Sequence, residues 1–332
     1  MPSLPRTQPT TLKAALCVAA FWLVQGCATW GGDPARVQLV CALDNTATES
    51  VLDLRQQGVV QQAVQFKDNS GPQARSYTGA ALWPLLQACA LQSDAATDLH
   101  GQRAAALGRY VLASGADGYS AVFSVGELHP AFGNKGSIVA HAEAGAGDAD
   151  AAGPAPSLRI TAPGDVQGSR YVAGLTRLEV RASGSVGAGS GAAQSQAVQV
   201  LGAVKNTLRL DEAALRALPA VTQVVGGRRY TGVDLWALLS AVAGIEADSA
   251  SGANVQGMYL VATGADGYQA LVSLAEISPE LGNQRVLIAY RLDGQPLARG
   301  LARLVVTGDG KAGRSVSALE AIEVFAAAPA AP

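Results

Sequence analysis

Residues 110–134 read YVLASGADGYSAVFSVGELHPAFGN, and residues 259–283 read YLVATGADGYQALVSLAEISPELGN. Asp117, Glu127 and Asn134 in the first stretch are answered by Asp266, Glu276 and Asn283 in the second, each 149 positions on. The match continues upstream, where SYTGAALWPLLQACAL (76–91) pairs with RYTGVDLWALLSAVAGI (229–245). It also continues downstream, where SLRITAPGD…SRYVAGLTRLEV pairs with ARLVVTGDG…GRSVSALEAIEV. Solenoid repeats have periods of roughly 20–50 residues, so a repeat of this length points to two copies of a whole folded unit. The copies are placed at residues 37–183 and 197–325. The Gly/Ser/Ala-rich segment 184–196 between them reads as a flexible linker, and 326–332 as a disordered tail.

Local signals within the second copy set the fold class. VQVLGAV alternates as a strand does, and LDEAALRALP fits a short helix with Asp211 as N-cap and Pro219 beyond its end. Gly226-Gly227 marks a turn. VDLWALLSAVAGI is expected to set Leu235, Leu238, Leu239 and Val242 on one helical face, closed by Gly244. MYLVA and YQALVS read as strands joined by GADG, whose Asp-Gly pair favours a tight hairpin. VLIAYRL, LARLVV and AIEVF supply three further strands. The expectation is α+β, with short helices on mixed, antiparallel-rich sheets.

The chain has 332 residues, a length that suits two domains. Its formal net charge is −2 and no basic run is dense enough to follow a phosphate backbone, so nucleic acid is not an expected partner. Residues 1–27 read as a targeting segment: Arg6 and Lys13 precede the apolar run Ala14–Val24, and LVQGC ends at Cys27. This segment resembles a bacterial lipoprotein signal, which implies acylation at Cys27, export, and a periplasmic protein anchored to a bacterial membrane by its lipid. Gln25 departs from the small or β-branched residue usual at its position, so ordinary signal-peptide cleavage and an uncleaved anchor stay as alternatives. With Cys17 inside the apolar run, Cys41 and Cys89 are the thiols of the folded part. The repeat sets them opposite Gly202 and Val242, on a first strand and an apolar helix face; they are either bridged or two buried small hydrophobes.

The phrases YTG-x-x-LW-x-LL, ADGY, Ser-x-x-Glu, IAY-x-x-DG-x-PL and R-LVV-x-G before a final IEV resemble, in this order, the molybdopterin-binding domain of sulfite-oxidase-like oxidoreductases. The resemblance covers nearly all of the second copy and, more loosely, the first. It implies a pterin cofactor whose molybdenum is held by a cysteine between the first short helix and the YTG segment. Neither AVTQVVGGRRYTG nor QQGVVQQAVQFKDNSGPQARSYTG holds a cysteine. A lysine usual near the end of the domain is replaced by Ala173 and Ser317. Without the soft thiolate ligand there is no covalent protein attachment for molybdenum. The chain is therefore read as a non-catalytic binding or assembly protein, with no cofactor expected; the alternative is a molybdopterin-dependent oxidoreductase that holds its cofactor without a Cys ligand.

Several repeated polar residues have structural explanations. Ser124-Val-Gly-Glu127 and Ser273-Leu-Ala-Glu276 have the spacing of a helix capping box. Asp117 and Asp266 suit the Asp-Gly turn. The repeated arginines Arg159 and Arg303, and Arg170 and Arg314, are the candidate ligand contacts, because a guanidinium grips an anion bidentately. Against that stands a salt bridge with Glu179 and Glu323. The ligand set is Arg303, Arg314, Tyr268 and Asp266 in the second copy with Arg159 and Arg170 in the first, for a small anionic ligand or a periplasmic protein partner. The ligand itself is expected in the second copy, with Arg303 and Arg314 as charged contacts and Tyr268 as a wall. The three histidines, His100, His129 and His141, match no zinc spacing, so no metal site is expected.

Overall fold

The computed structural model describes residues 35–43, 46–92, 105–144, 157–185, 187, 189–191, 195–247 and 254–327. The leader with Cys27, His100, residues 145–156 and most of the tail lie outside them.

In the first half, Arg36–Leu43 (β1), Thr46–Asp53 (β2), Val59–Asp68 (β3), Gly71–Ala81 (β4), Arg109–Gly115 (β5), Ser120–Ser124 (β6), Ile138–Ala144 (β7), Arg159–Ile160 (β8) and Leu175–Ala182 (β9) are strands. They form one sheet in the order β2-β1-β9-β5-β6 and a second in the order β3-β4-β7-β8. The second half has Val198–Gly202 (β10), Leu208–Leu210 (β11), Ala220–Val225 (β12), Arg228–Asp234 (β13), Met258–Gly264 (β14), Gln269–Ser273 (β15), Val286–Leu292 (β16), Gln295–Pro296 (β17), Arg303–Val306 (β18) and Leu319–Ala326 (β19). Its sheets run β11-β10-β19-β14-β15 and β12-β13-β16-β17, with β18 also on β16. Strand for strand, the five-stranded orders of the halves correspond. β1 with β9 and β10 with β19 are parallel, and every other named strand pair is antiparallel, giving the mixed, antiparallel-rich α+β character expected.

The repeated glycines and asparagines have backbone reasons. In the YTG phrases a Cβ on Gly79 would lie 2.1 Å from the Val139 carbonyl oxygen, and one on Gly232 2.1 Å from that of Ile288. Both mark a register shift in β4 and β13, so only glycine lets the neighbouring strand come so close. Asn134 and Asn283 have φ of 47° and 50°, a left-handed conformation that asparagine tolerates better than most residues.

The helix Glu212–Ala217 is capped by Asp211, whose carboxylate accepts from the Ala214 N–H at 2.8 Å. Leu82–Ala90 (α1) is regular and turns Cys89 inward, where it is bonded to Cys41 at a Cα separation of 5.7 Å. Of the two alternatives for these thiols, the bridge is the one formed. The equivalent helix departs from expectation: after Leu235–Ala237 it winds as a π-helix over Leu238–Ala243. The wider turn rotates Val242 out to 38% exposure and brings Ala243 inward, while Leu235, Leu238 and Leu239 stay buried.

Each half has its own core, around Val111, Phe123 and Val180 in the first and Leu260, Val272 and Val324 in the second. A third cluster lies between the halves, built from Tyr110, Leu112 and Val122 on β5 and β6 and Tyr259, Val261 and Leu271 on β14 and β15. Tyr110 stacks on Tyr259 with ring centroids 4.5 Å apart. The expectation of independent domains on a free linker is corrected here: β5 and β14 are apolar on both faces, and their outer faces are buried in this shared cluster. Among the described residues of 184–196, the Gly187 carbonyl accepts from Gln269 Nε2, and the Ser190 and Gly191 N–H groups donate to Glu320 and the Ala265 carbonyl, each at 2.9 Å. That part of the segment is strapped along the second half.

Candidate functional site

The Ser-x-x-Glu turns stand at the seam between the halves. Val125–Leu128 (α2) begins at Ser124, whose hydroxyl accepts from the Glu127 N–H at 2.9 Å while the Glu127 carboxylate accepts from the Ser124 N–H at 2.9 Å. In the second half the Ser273 hydroxyl accepts from the Glu276 N–H at 3.1 Å. The expected capping box is complete in the first half, whereas in the second the serine cap is present without the reciprocal glutamate bond among the described residues. This leaves carboxylate oxygens free to turn towards the seam, and both turns use them.

Arg170 and Arg314 are completely buried there. Arg170 donates from Nε and Nη2 to Asp165, at 2.7 and 2.8 Å, and from Nη1 to both Glu127 oxygens at 3.0 Å. Its Nη1 also reaches Ser273 Oγ in the other half at 3.4 Å. Arg314 repeats this with Asp309 through Nε at 2.8 Å and Nη2, with Glu276 at 2.7 and 2.9 Å, and with Ser124 Oγ of the first half at 3.3 Å. The serine hydroxyls donate across as well, Ser124 to Glu276 and Ser273 to Glu127, both at 3.2 Å. Lys135 joins from the first half, 2.6 Å from Asp165; the second half has Gln284 in its place.

The buried cluster therefore holds four carboxylates and three cations. Burial is the main cause that pushes the Glu127 carboxyl above its ordinary range; Arg170 opposes it, and the facing Glu276 adds to it. Both guanidiniums are held further towards their charged form than usual, since their carboxylates outweigh the desolvation.

This overturns the expected role of Arg170 and Arg314 as contacts to a free anion. Two forked carboxylate pairs occupy each guanidinium, and neither has surface to offer. Nor are Glu179 and Glu323 the partners: Glu179 binds Arg177 and Arg181 at 2.7 and 2.6 Å, and Glu323 accepts from Ser185 Oγ at 3.1 Å. Tyr268 is a tether rather than a wall, because its hydroxyl donates to the Gly313 carbonyl at 2.6 Å beside Arg314. Asp266 closes the hairpin turn by accepting from the Tyr268 N–H at 3.1 Å, and its other oxygen lies 3.3 Å from Arg299. Arg303 is half-buried on β18 with its Nε unpartnered, and among the described residues no hydrogen bond or ion pair joins it to Arg314. Arg159, at the start of β8, faces an open cavity of the first half.

His129 is fixed by structure: its Nδ1 accepts from the Ala131 N–H at 3.0 Å, and the ring packs against Trp83 and Phe132. Asp165 and Asp309 were not singled out by sequence reasoning. Their signal is an aspartate five positions before each repeated arginine, in PGDVQGSR and TGDGKAGR.

Comparison with known proteins bears on the second half. Residues 194–331 match a protein-family model described as "Oxidoreductase molybdopterin binding domain". No curated protein matches the chain. Among solved structures, the sulfane dehydrogenase SoxCD from Paracoccus pantotrophus is similar at 11% identity and a TM-score of 0.30, over 89% of this chain and 78% of that one.

The residues present do not fit the cofactor that the family description implies. Cys41 and Cys89 are the cysteines among the described residues and are bonded to each other, so neither offers a thiolate. The two buried arginines are already saturated by carboxylates.

Proposed function

We propose that the chain is an exported, lipid-anchored protein of two tandem sulfite-oxidase-like domains that have left molybdenum chemistry and serve binding or assembly. The observation that carries this reading is the seam. Arg170 and Arg314, the repeated cations nearest the end of each copy, neutralise buried carboxylates and join the halves instead of facing a cofactor. The cysteine-free β3–β4 and β12–β13 segments support the same reading, as does the bonding of Cys41 to Cys89.

Molybdenum content decides it. Protein purified from a host that makes the cofactor should carry far less than one molybdenum per chain, measured by mass spectrometry of the metal. A stoichiometric content overturns the proposal in favour of the second reading, a molybdopterin-dependent oxidoreductase without a Cys ligand, which the family match of residues 194–331 favours. Anchoring is tested separately: Cys27→Ser should move the protein from the membrane to the soluble fraction, because acyl chains supply the membrane affinity. Unchanged membrane retention removes the lipoprotein part of the reading.

A further inference from the structure

A cavity of about 290 Å³ opens on the four-stranded sheet of the first half, between the β3–β4 hairpin and the Gly168–Arg170 turn. Its walls are aromatic. Phe66 stacks on Tyr171 with centroids 4.4 Å apart, and Tyr77 lies beside them, 6.3 Å from Tyr171. Gly168 permits this packing, since a Cβ there would meet the Phe66 ring at 2.8 Å.

The polar groups of this cavity divide into those with partners and those without. Arg75 is matched by Glu143 at 3.3 Å and Gln73 at 2.8 Å, and Asp68 accepts from the Ser70 N–H and Gln73 at 2.8 and 3.0 Å. Arg159 has one long hydrogen bond, from Nη1 to the Tyr171 carbonyl at 3.4 Å, and no carboxylate within ion-pair distance among the described residues. Its guanidinium carbon stands 6.0 Å from the centroid of the Tyr77 ring. Tyr77 is 2% exposed as a residue and its hydroxyl makes no hydrogen bond among the described residues, while the hydroxyl that is itself buried without a partner is that of Tyr171. A phenol hydroxyl without a protein partner and a cation with spare donors on one wall point to an acceptor from outside.

We infer that this cavity binds a small aromatic carboxylate, with the carboxylate on Arg159 and the Tyr77 hydroxyl and the ring against the Phe66–Tyr171 stack. This rests on the binding reading above and gives it a place and a ligand class; it also moves the ligand from the second half to the first. The volume lies at the lower end for ligand pockets, which limits the ligand to about one ring and its acid group. One unmatched guanidinium suits one negative charge. The Phe66–Tyr171 stack is particular to this half: Ser315 stands where the first half has Tyr171, and β12–β13 turns at Gly226-Gly227 before reaching a counterpart of Phe66.

Calorimetric titration of the mature full chain with benzoate tests this, with acetate as charge without ring and benzyl alcohol as ring without charge. Benzoate should bind saturably and at least tenfold more tightly than either control. Arg159→Met should weaken it at least tenfold, the scale expected for a charge-assisted pair. Tyr77→Phe should weaken it severalfold, and Arg303→Met, the matching position of the other half, should leave it unchanged. Should Arg159→Met fail to fold, Tyr77→Phe and Arg159→Lys decide the matter. No saturable benzoate binding, or equal binding by wild type and the cavity variants, overturns the inference. Because molybdenum content is a separate readout, that failure would leave the non-catalytic reading where it stood.

Discussion

Ser124 and Arg314 are 190 residues apart in sequence, and their Oγ and Nη1 atoms are 3.3 Å apart in the fold. Ser273 and Arg170 repeat the relationship in the opposite sense at 3.4 Å. The two contacts are related as in an isologous dimer, where the same patch on each partner meets itself. Here both partners belong to one chain, and the seam is part of its interior.

Removing either arginine should be severe. In Arg170→Met, Asp165 and Glu127 are left buried beside Lys135 alone; in Arg314→Met, Asp309 and Glu276 lose their cation altogether. Breaking a buried pair from one side costs about 3–5 kcal/mol. Urea unfolding should show losses of that size for each variant, the larger for Arg314→Met because no lysine remains. Losses below about 1 kcal/mol would mean that the network is more solvated than its burial implies.

The stacked pair Tyr110 and Tyr259 should make the halves unfold together. Both rings are buried, at 5% and 4% exposure, and they are the centre of the third apolar cluster. Tyr259→Ala should cost about 3–5 kcal/mol by the usual scale for losing a buried aromatic. Calorimetry of the wild type should show one transition, and this variant should lower that transition as a whole. Two well-separated transitions in the wild type would contradict a shared interior.

Stability should depend on pH through Glu127. Its folded pKa is raised above the ordinary 4.5, chiefly by burial, so the folded state binds the proton more tightly than the unfolded chain. The stabilising contribution is complete below 4.5 and is lost as pH rises through the higher folded value. Unfolding free energy measured upward from acid pH should fall across that window, and Glu127→Gln should flatten the fall while keeping the cap. A rise across the same window in the wild type would show that Arg170 outweighs desolvation.

Reduction of the Cys41–Cys89 bond should destabilise the first half. The bond closes a segment with a sequence separation of 48, and loop-closure entropy for that length predicts about 4 kcal/mol, an upper figure for many proteins. Denaturant unfolding with and without a thiol reductant should differ by about 2–4 kcal/mol, and a Cys41→Ala, Cys89→Ala double variant should match the reduced protein. Identical curves would indicate that the bond adds nothing beyond the packing around it.

The internal sequence repeat, the strand-rich α+β class and most of the turns and caps were legible in the order of the residues. Each rests on residues within a few positions of one another: the Asp-Gly hairpins, the Gly226-Gly227 turn, the Asp211 cap and the Ser-x-x-Glu boxes. One local expectation failed at Val242, where a change of helical pitch, invisible in residue types, turned the side chain to solvent. The duplication also misled, since two copies with complete apolar patterns read as two independent bodies. Long-range packing sets β5 against β14, spends the charge of Arg170 and Arg314 on Asp165, Glu127, Asp309 and Glu276, and leaves Arg159 facing an aromatic cavity. An arginine's role depends on which carboxylates reach it and whether water does. Both follow from how distant segments pack, which a linear pattern of residues does not record.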